Sequence, residues 1–449
     1  MVDTPLSDIS RFADNNFYMV NNKSPLSSGN SAGNCRKLIF VNRYFYPDIS
    51  ATSQMLSDLA FRLAANGELV SIVTSRSSYE DLTVNLKPRE EINNVEIWRT
   101  ATSRFGRWRV WRRLADYLTF YVTMLWRVYR IANKGDWIIA KTDPPMMSIP
   151  LVFVAWLRGS YTVNWLQDVF PEVAVAAGVK LPSDRLQRIV FGLLTKMRDW
   201  SLHKAQFNVV LSQSMKDHIT GRGINDKKVE IIPNWADIRM ILPEDKITNS
   251  LIEEWQLTGK FVVGYSGNLG IAHEYEAIVE AANKLRDNKN IIFLIVGGGF
   301  RVGFMKNDVK RLGLSEKILF KPYQDRKRLS ETLGAIDLHL VSLRPELNGL
   351  IVPSKFYGIT AAGRPTVFIG RTDCDIAKFV AENQCGISVD SGDGENLAEA
   401  ILLYAEDPDR CVTEGKRARR LAERDSDIHI VAQKWTTLFA SRGEKNVSE

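Results

Sequence analysis

Cysteine is scarce in this chain, and long uncharged apolar runs are missing. The four cysteines among 449 residues, Cys35, Cys374, Cys385 and Cys411, have neither CxxC nor another metal-ligand spacing, which favours a reduced cytoplasmic compartment. The longest uncharged apolar stretch, Pro144 to Leu157, has 14 residues and three prolines, whereas a helix that spans a bilayer needs about 18 residues. A disulfide scaffold is therefore excluded, and a membrane-spanning segment is not expected.

Several catalytic signatures are missing as well. The five histidines form no HExxH or HxH cluster, and neither a Gly-x-Ser-x-Gly elbow nor a GxxxxGK[ST] phosphate loop occurs. Asp-x-Asp triplets start at Asp373, Asp407 and Asp425, but 28 aspartates in 449 positions make a few such triplets expected by chance. We therefore expect no metal site.

The composition that remains is that of a globular protein. Hydrophobic residues make up 45% of the chain and charged residues 25%, with a formal net charge of +7, and the length predicts two or three domains. Residues 1–35 differ because they are rich in serine and asparagine and lack a periodic apolar pattern. They are predicted to form a disordered N-terminal arm without the apolar segment of a signal peptide.

The first half of the chain alternates apolar strands with helical segments. Residues 37–41 (KLIFV) predict a strand, Leu56 to Ala65 a helix, and residues 69–74 (LVSIVT) the next strand. Continuous apolar strands joined in this way are typical of a parallel sheet that is covered on both faces. Further strands are predicted at residues 137–140, 161–166 and 208–211.

The same pattern starts again at residues 261–265 (FVVGY). A helix from Glu274 to Leu285 and a strand at residues 291–296 (IIFLIV) follow, and strands at 318–320, 338–341 and 366–369 extend the array. Two such arrays predict an α/β protein with two doubly wound, Rossmann-like domains that face each other across a cleft. The predicted domains are residues 36–240 and residues 241–425.

Two loops of the second array suit an anionic ligand. The segment Gly264 to Gly270 (GYSGNLG) joins a strand to a helix, and its glycines let the backbone approach a ligand closely. Ser354 and Lys355 follow the apolar run 349–352, which reads as a strand, and they offer a hydroxyl and a cation to a diphosphate. Such loops gather at the carboxyl edge of a doubly wound sheet. A plain glycine turn and a solvated lysine are the alternatives that these residues alone leave open.

Six segments, taken in this order, resemble glycosyltransferase family 4, whose members have the GT-B fold. They are FYPDISATSQMLSDLAFRLAANGELVSIVT (45–74), WLQDVFPE (165–172), VEIIPNWADI (229–238), YSGNLG (265–270), FLIVGGG (293–299) and VPSKFYGITAAGRP (352–365). The likeness is to bacterial exopolysaccharide enzymes of the colanic-acid type, and it covers about residues 37–439.

The resemblance implies that the second domain binds a UDP- or GDP-linked sugar as its substrate, with no cofactor and no metal ion. The residues that it implies for donor binding are Gly267, Asn268, Leu269, Gly270, His273, Tyr323, Pro353, Ser354 and Lys355. The glycine loop would bring backbone amides to the diphosphate, and Ser354 and Lys355 would contact phosphate or ribose. Residues 426–449 would form a helix that crosses back to the N-terminal domain, as in other GT-B proteins.

By the same resemblance, the reaction is retaining glycosyl transfer of the hexosyltransferase class, and the implied catalytic residues are Asp168, Glu346 and Lys355. Asp168 would orient the acceptor or accept its proton, and Glu346 would hold hydroxyl groups of the donor. Lys355 would offset the charge on the departing diphosphate. The alternative role of Asp168 is a helix cap, and that of Glu346 is a surface carboxylate.

Two features depart from the family pattern. Glu346 with Gly349 matches the first of two family glutamates, but the second falls at Gly358, so that a carboxylate for the ribose is missing there. Family members often have an arginine and a lysine just after the glycine loop, where this chain has Asn268 and His273. Lys355 is the candidate substitute cation.

The segment Ser103 to Arg130 is basic and aromatic, with seven arginines and one aspartate, and its apolar residues recur at helical spacing. This composition favours an anionic membrane surface. The residues predicted to contact the membrane and a polyprenyl-diphosphate-linked acceptor are Trp108, Arg109, Trp111, Arg112 and Arg113. A core helix with an exposed arginine face and a nucleic-acid surface are the alternatives, although no nucleic-acid module is visible.

The sequence thus predicts a cytoplasmic glycosyltransferase, peripheral on the inner face of the cytoplasmic membrane. It would move a sugar from a UDP- or GDP-sugar to a lipid-linked oligosaccharide or polysaccharide precursor in surface polysaccharide biosynthesis. Two other functions remain open, namely a two-Rossmann sugar-nucleotide epimerase and a non-catalytic sugar-nucleotide-binding protein.

Overall fold

The computed structural model describes residues 36–48, 50–77, 86–103 and 110–441, with the side chains of residues 110–114 left out. The predicted N-terminal arm, residues 1–35, lies outside the described residues. The described chain divides into two compact units, one ending at Thr162 and the other starting at Val163. The domain boundary predicted near residue 240 stays a prediction.

The first unit is built around a mainly parallel sheet. Its elements are β1 (Lys37–Val41), α1 (Ala51–Ala65), β2 (Leu69–Ser75), β3 (Arg89–Ile92), β4 (Val95–Thr100), α2 (Val110–Ile131), β5 (Trp137–Lys141) and α3 (Ser148–Arg158). The strand order is β3-β4-β2-β1-β5, and only the β3–β4 pair is antiparallel. Apolar residues of β1, α2 and α3, among them Ile39, Phe120 and Leu151, form one core. The apolar strand and helix patterns of the sequence therefore fold as predicted here.

The second unit begins within strand β6 (Tyr161–Trp165), the first of three strands. Its elements are β6 (Tyr161–Trp165), α4 (Glu172–Ala176), α5 (Asp184–Lys204), β7 (Phe207–Val210), α6 (Gln213–Thr220) and β8 (Val229–Ile231). The strands lie in the order β6-β7-β8 and are parallel. Leu166 and Val169, which follow β6, belong to the same apolar core as Phe356.

A six-stranded parallel sheet forms the rest of the second unit. Its elements are α7 (Ser250–Glu254), β9 (Phe261–Asn268), α8 (Glu276–Lys284), β10 (Ile291–Gly298), α9 (Val302–Arg311), β11 (Ile318–Lys321), α10 (Leu329–Gly334), β12 (Leu338–Ser342), α11 (Lys355–Ala361), β13 (Thr366–Ile369), α12 (Asp375–Glu382), β14 (Gly386–Val389), α13 (Gly394–Glu406), α14 (Pro408–Leu421) and α15 (Ile428–Ala440). The order is β11-β10-β9-β12-β13-β14. From β9 the chain adds β10 and β11 on one side, and it then adds β12, β13 and β14 on the other side. The topological switch point therefore lies between β9 and β12, and ligands bind outside the carboxyl ends of the strands at such a point.

Two details of this unit differ from the expectations. The run 349–352 is not a strand, because Ile351 forms only an isolated bridge with Asp168. The helix after the glycine loop begins at Glu276, six residues beyond Gly270, so its first amides are further from the loop than predicted. Both differences leave irregular backbone next to the predicted site.

The last helix, α15, lies within residues 426–449, where a helix was expected. Its Trp435 packs edge-on against Trp165 of β6, with ring centroids 5.2 Å apart, and Trp165 stacks on Trp235. Both partner residues lie within the predicted first domain. In the ranges that the structure covers, no helix combines the length and the apolar character that a membrane span requires.

Candidate active site

The glycine loop lies at the carboxyl end of β9, beside a second glycine loop at the end of β10. Gly267 pairs with Gly297 in the parallel register, and both have left-handed backbone angles, with φ of 117° and 125°. A Cβ atom at Gly297 would come within 2.4 Å of the Gly267 carbonyl oxygen. Glycine is therefore required there, because only glycine permits both the φ value and the close approach. The Leu269 amide donates to the Gly298 carbonyl at 2.7 Å, which ties the two loops together.

Tyr323 lies over these paired loops. It follows β11, and a Cβ atom at Gly297 or Gly298 would be 3.1 Å from its ring. The ring is itself largely exposed. An exposed aromatic face beside open glycine backbone is suited to stacking on a planar group.

Lys355, the first residue of α11, lies against the same glycine loop. Its ammonium group donates to the Tyr265 hydroxyl, lies 3.8 Å from the centroid of that ring, and is 3.4 Å from Nε2 of His273. A Cβ atom on Gly267 would be 3.9 Å from Lys355 Cε. The structure therefore brings together three parts of the predicted donor site, namely the glycine loop, His273 and Lys355.

The side chains in contact with the Lys355 ammonium group are neutral. Nδ1 of His273 donates to the Ser342 carbonyl at 2.6 Å, which leaves Nε2 without a proton and facing the lysine. Burial, and then the charge of Lys355, lower the pKa of His273 to about 3 despite that bond. Burial, with a smaller effect of Tyr323, raises the pKa of Tyr265 well above its usual range.

Burial acts on Lys355 as it does on His273. It lowers the pKa of Lys355 well below its usual value of 10.5, because a half-buried ammonium group loses hydration without gaining a carboxylate from Tyr265 or His273. An anionic ligand at the glycine loop would supply the missing opposite charge. The arrangement can therefore bind a phosphate group and hold Lys355 in its charged form.

The other predicted site residues lie at varying distances from this centre. Pro353 is buried and Ser354 is exposed at the start of α11. Asp168 forms the isolated bridge with Ile351, and the Val169 amide donates to the Leu350 carbonyl at 2.9 Å. The backbone at Asp168 is therefore fixed beside the segment that leads to Lys355.

Glu346 lies in the turn after β12, and its carboxylate is 3.5 Å from the Arg344 guanidinium. More than half of this carboxylate side chain is exposed. The structure thus gives Glu346 a charged neighbour and access to solvent.

Gly358, where the family pattern has its second glutamate, faces apolar side chains. A Cβ atom there would lie 3.8 Å from the terminal methyl groups of Ile241 and Leu333. A carboxylate built outward from this position would start in an apolar environment. The absence of the glutamate therefore agrees with the local packing.

The Asp-x-Asp triplet at Asp373 has local structural roles. Asp373 pairs with Arg371 at 2.6 Å, and Asp375 accepts a hydrogen bond from the Ser214 amide at 2.9 Å. Both carboxylates therefore have partners within the protein.

Two arginines that the sequence analysis missed help to hold the loop after Gly270. Arg301 donates to the His273 carbonyl at 2.9 Å and to Glu276 at 2.6 Å, and its amide donates to the Leu269 carbonyl at 3.0 Å. The Arg344 amide donates to the Ala272 carbonyl at 3.0 Å. Both arginines lie two or three residues after strand ends at one sheet edge, and this position is the signal that could have identified them.

The predicted membrane residues are only partly described. Trp108 and Arg109 lie outside the described residues, and Trp111, Arg112 and Arg113 belong to α2 without described side chains. Further along α2, Val128 is buried in the core, although it is one of the apolar residues at helical spacing that were expected to face a membrane. The exposed apolar residues of α2 instead lie on a neighbouring stripe: Leu118, Val122, Trp126 and Tyr129.

Two protein-family models together match most of this chain. Residues 51–235 match "Glycosyl transferase 4-like domain", and residues 249–422 match "Glycosyl transferases group 1". The chain belongs to the glycosyltransferases. The matches confirm the family that the sequence motifs indicated, and the transferase class with it.

Individual relatives agree with this assignment. This glycosyltransferase is 28% identical to the probable glycosyltransferase WbjE of Pseudomonas aeruginosa, over 60% of this chain and 66% of WbjE. It is 26% identical to the putative colanic acid biosynthesis glycosyl transferase WcaI of Escherichia coli, over 79% of this chain and 88% of WcaI.

Among solved structures, the glycosyltransferase is similar to HepE of Anabaena in a complex with UDP-glucose. The TM-score is 0.66 with 15% identity, covering 90% of this chain and 99% of HepE. The predicted fold class, α/β of the GT-B type, is confirmed.

Proposed function

We propose that this glycosyltransferase moves a sugar, with retention of configuration, from a UDP- or GDP-sugar to a lipid-linked precursor in surface polysaccharide biosynthesis. The observation that carries the proposal is the position of Lys355 against the glycine loop, where its contacts Tyr265 and His273 are neutral. The UDP-glucose bound to the similar HepE supports a nucleotide-sugar donor. The colanic acid role in the name of WcaI supports the polysaccharide pathway.

In this proposal, the donor diphosphate lies between the Gly267 loop and Lys355. The backbone amides of the loop and the ammonium group stabilise the negative charge that grows on the diphosphate as the glycosidic bond breaks. Tyr323 stacks beside the base, and Ser354 contacts phosphate or ribose. Because Asp373 and Asp375 already have protein partners, we propose that transfer proceeds without a metal ion.

Asp168 is the proposed acceptor-side residue. The Asp168 backbone is held next to Ile351. Ile351 precedes Lys355 by four residues, so Asp168 lies beside the segment that leads into the donor site. In the proposal its carboxylate orients the acceptor hydroxyl or accepts its proton. Glu346 has the proposed role of holding donor hydroxyls, for which its exposed carboxylate is accessible.

A membrane-bound acceptor is supported by an apolar surface on the first unit. The α2–α3 face, as we call it, consists of Leu118, Val122, Trp126 and Tyr129 on α2 with Phe153, Trp156 and Leu157 on α3. Trp156 is 77% exposed and Trp126 61%. Arg130 lies over Trp126 and Arg158 over Tyr129, at 5.6 and 5.2 Å from the ring centroids. Tryptophan with arginine suits the headgroup layer of an anionic bilayer, so we propose peripheral attachment to the cytoplasmic membrane there.

Incubation with labelled UDP- and GDP-sugars and a bacterial lipid extract tests the proposal. Transfer of label to the lipid fraction is the expected result. Inversion at a ring carbon of the donor would instead identify an epimerase, and saturable binding without turnover would identify a sugar-nucleotide-binding protein.

A further inference from the structure

Helix α5 carries an apolar stripe that the described chain leaves largely uncovered. Of its 21 residues only Arg198, Ser201 and Leu202 are buried, and all three lie in the last third of the helix. Its exposed large apolar residues, Leu186, Ile189, Leu193 and Met197, are three, four and four residues apart. This spacing puts them on one side of the helix. A surface helix normally buries such a stripe, so the stripe on α5 needs a partner.

The stripe belongs to a well-formed and anchored helix. The Ser183 hydroxyl accepts a hydrogen bond from the Leu186 amide at 3.2 Å, which caps the first turn. At the other end, the buried Arg198 guanidinium donates to Glu172 at 2.7 Å and to the Phe170 carbonyl at 3.2 Å. The exposed apolar residues are therefore displayed by a rigid element and are not the result of fraying.

The charges around the stripe are almost all positive. Lys180, Arg185, Arg188 and Lys196 are exposed, and none of them forms an ion pair within the described residues. Asp184 is the only acidic residue between positions 175 and 197, and it lies in the first turn of α5, where a carboxylate complements the helix dipole. The surface thus combines exposed apolar side chains with unpaired cations.

We propose that this surface binds an anionic phospholipid bilayer. The α5 face, as we call it, consists of the apolar residues Leu186, Ile189, Leu193 and Met197 with the cations Arg185 and Lys196, which flank the stripe on the helix surface. The apolar residues enter the boundary between headgroups and acyl chains, and the cations contact lipid phosphates. A second copy of this chain fits less well, because a two-fold contact would oppose the same cations to each other.

The inference deepens the proposed function, because it rests on a membrane-bound acceptor and adds a contact from the second unit. The α2–α3 face belongs to the first unit and the α5 face to the second. Two contacts on one chain strengthen attachment more than either alone, provided that both reach the same bilayer. Loss of the α5 face should therefore weaken vesicle binding without abolishing it.

The test is flotation of the full chain with phosphatidylglycerol–phosphatidylcholine vesicles in the absence of any donor. The variant carries Ile189→Ser and Leu193→Ser, at positions 59% and 58% exposed. We expect its partition coefficient to fall about tenfold, with the remaining affinity falling further at higher salt. The matched control carries Leu403→Ser and Val412→Ser. These two residues of α13 and α14 are also exposed and apolar and belong to the same unit, but they lie outside the α5 face. The control should bind as the wild type does.

Several results would overturn the inference. Equal partition of the variant and the wild type would do so, as would equal binding of the wild type to phosphatidylcholine alone. A lipid-free dimer that the Ile189→Ser, Leu193→Ser variant dissociates, seen by sedimentation velocity, would identify a second copy as the partner instead.

Glycosyl transfer in detergent solution, measured on the same preparations, separates this inference from the proposed function. Vesicle binding that depends on α5 together with no turnover from any nucleotide-sugar would contradict the proposed function alone. Unchanged turnover in the variant supports a role of α5 in attachment and also shows that the protein is folded.

Discussion

Replacement of Lys355 by methionine should change both the affinity for UDP and its dependence on pH. In the free protein, burial holds the pKa of Lys355 well below 10.5. A bound diphosphate raises that pKa, since an opposite charge within a few ångström favours the charged form. Between the two pKa values, binding therefore takes up one proton.

The sign and size of the effect follow from this linkage. Where the free lysine is neutral and the bound lysine is charged, the Kd for UDP rises with pH by up to about tenfold per pH unit. Below the free-state pKa, where Lys355 is charged in both states, this slope vanishes. In addition, the lost contact between ammonium and phosphate is worth about 1.5–3 kcal/mol, or roughly tenfold to a hundredfold in Kd.

Although Lys355→Met should weaken UDP binding, it should make the free protein more stable. A lysine whose folded-state pKa lies below its unfolded-state value makes the folded protein less stable at neutral pH, and this deficit fades as the pH rises toward 10.5. Lys355→Met removes the deficit, and Tyr265 keeps its hydrogen bond to the Asn268 carbonyl at 3.1 Å. We expect the variant to be more stable at pH 7 by about 0.5–2 kcal/mol.

Isothermal titration of UDP across the neutral to alkaline range tests both parts, with thermal unfolding of the free protein beside it. Lys416→Met, at an exposed position of α14, is the control and should behave as the wild type. The reasoning is refuted if Lys355→Met keeps the wild-type affinity and pH slope. It is also refuted if the variant binds weakly only because it is unfolded.

Four further predictions address the rest of the site. Gly297→Ala should abolish UDP binding and lower the unfolding temperature, because its Cβ would meet the Gly267 carbonyl at 2.4 Å; normal UDP binding would contradict the loop geometry. Asp168→Asn should lower kcat by about a hundredfold with little change in UDP affinity, and an unchanged kcat would leave it a structural role. Transfer should persist in EDTA, whereas a loss that Mg²⁺ restores would refute the metal-free proposal. Trp126→Ser with Trp156→Ser should weaken binding to anionic vesicles about tenfold, and equal flotation would remove the α2–α3 face from the proposal.

Strands of continuous apolar residues could be predicted well from the sequence. Residues 37–41 and 366–369 form β1 and β13 with the expected bounds, because strands buried on both faces have no competing pattern. In contrast, β3 (REEI) was missed. It pairs only with β4 at the sheet edge, where charged residues are tolerated and the apolar signal is lost.

The candidate site was predictable in its parts but not in its contacts. The glycines and Lys355 stood out because their residue types suit an anion. The contact of Lys355 with Tyr265, 90 residues away in sequence, depends on the strand order of the sheet, which local patterns do not encode. The neutral state of His273 could not be predicted either, because it arises from burial and from the nearby charge of Lys355.

Helix α2 shows a different limit of the sequence. Its apolar residues occupy two adjacent stripes, and a periodic pattern alone does not reveal which stripe the core takes. The structure buries Phe120, Met124 and Val128 and exposes Leu118, Val122 and Trp126. The hypothesis of a membrane contact therefore still concerns α2, but the contact is assigned to a different side of this helix.

A crystal structure with UDP bound tests the central claim most directly. We predict that oxygens of the diphosphate lie within hydrogen-bond distance of Lys355 Nζ and of backbone amides in the Gly267 loop, with the ammonium group shifted from Tyr265 toward the phosphate. UDP bound at another place, or a diphosphate that makes no contact with Lys355, would contradict the claim.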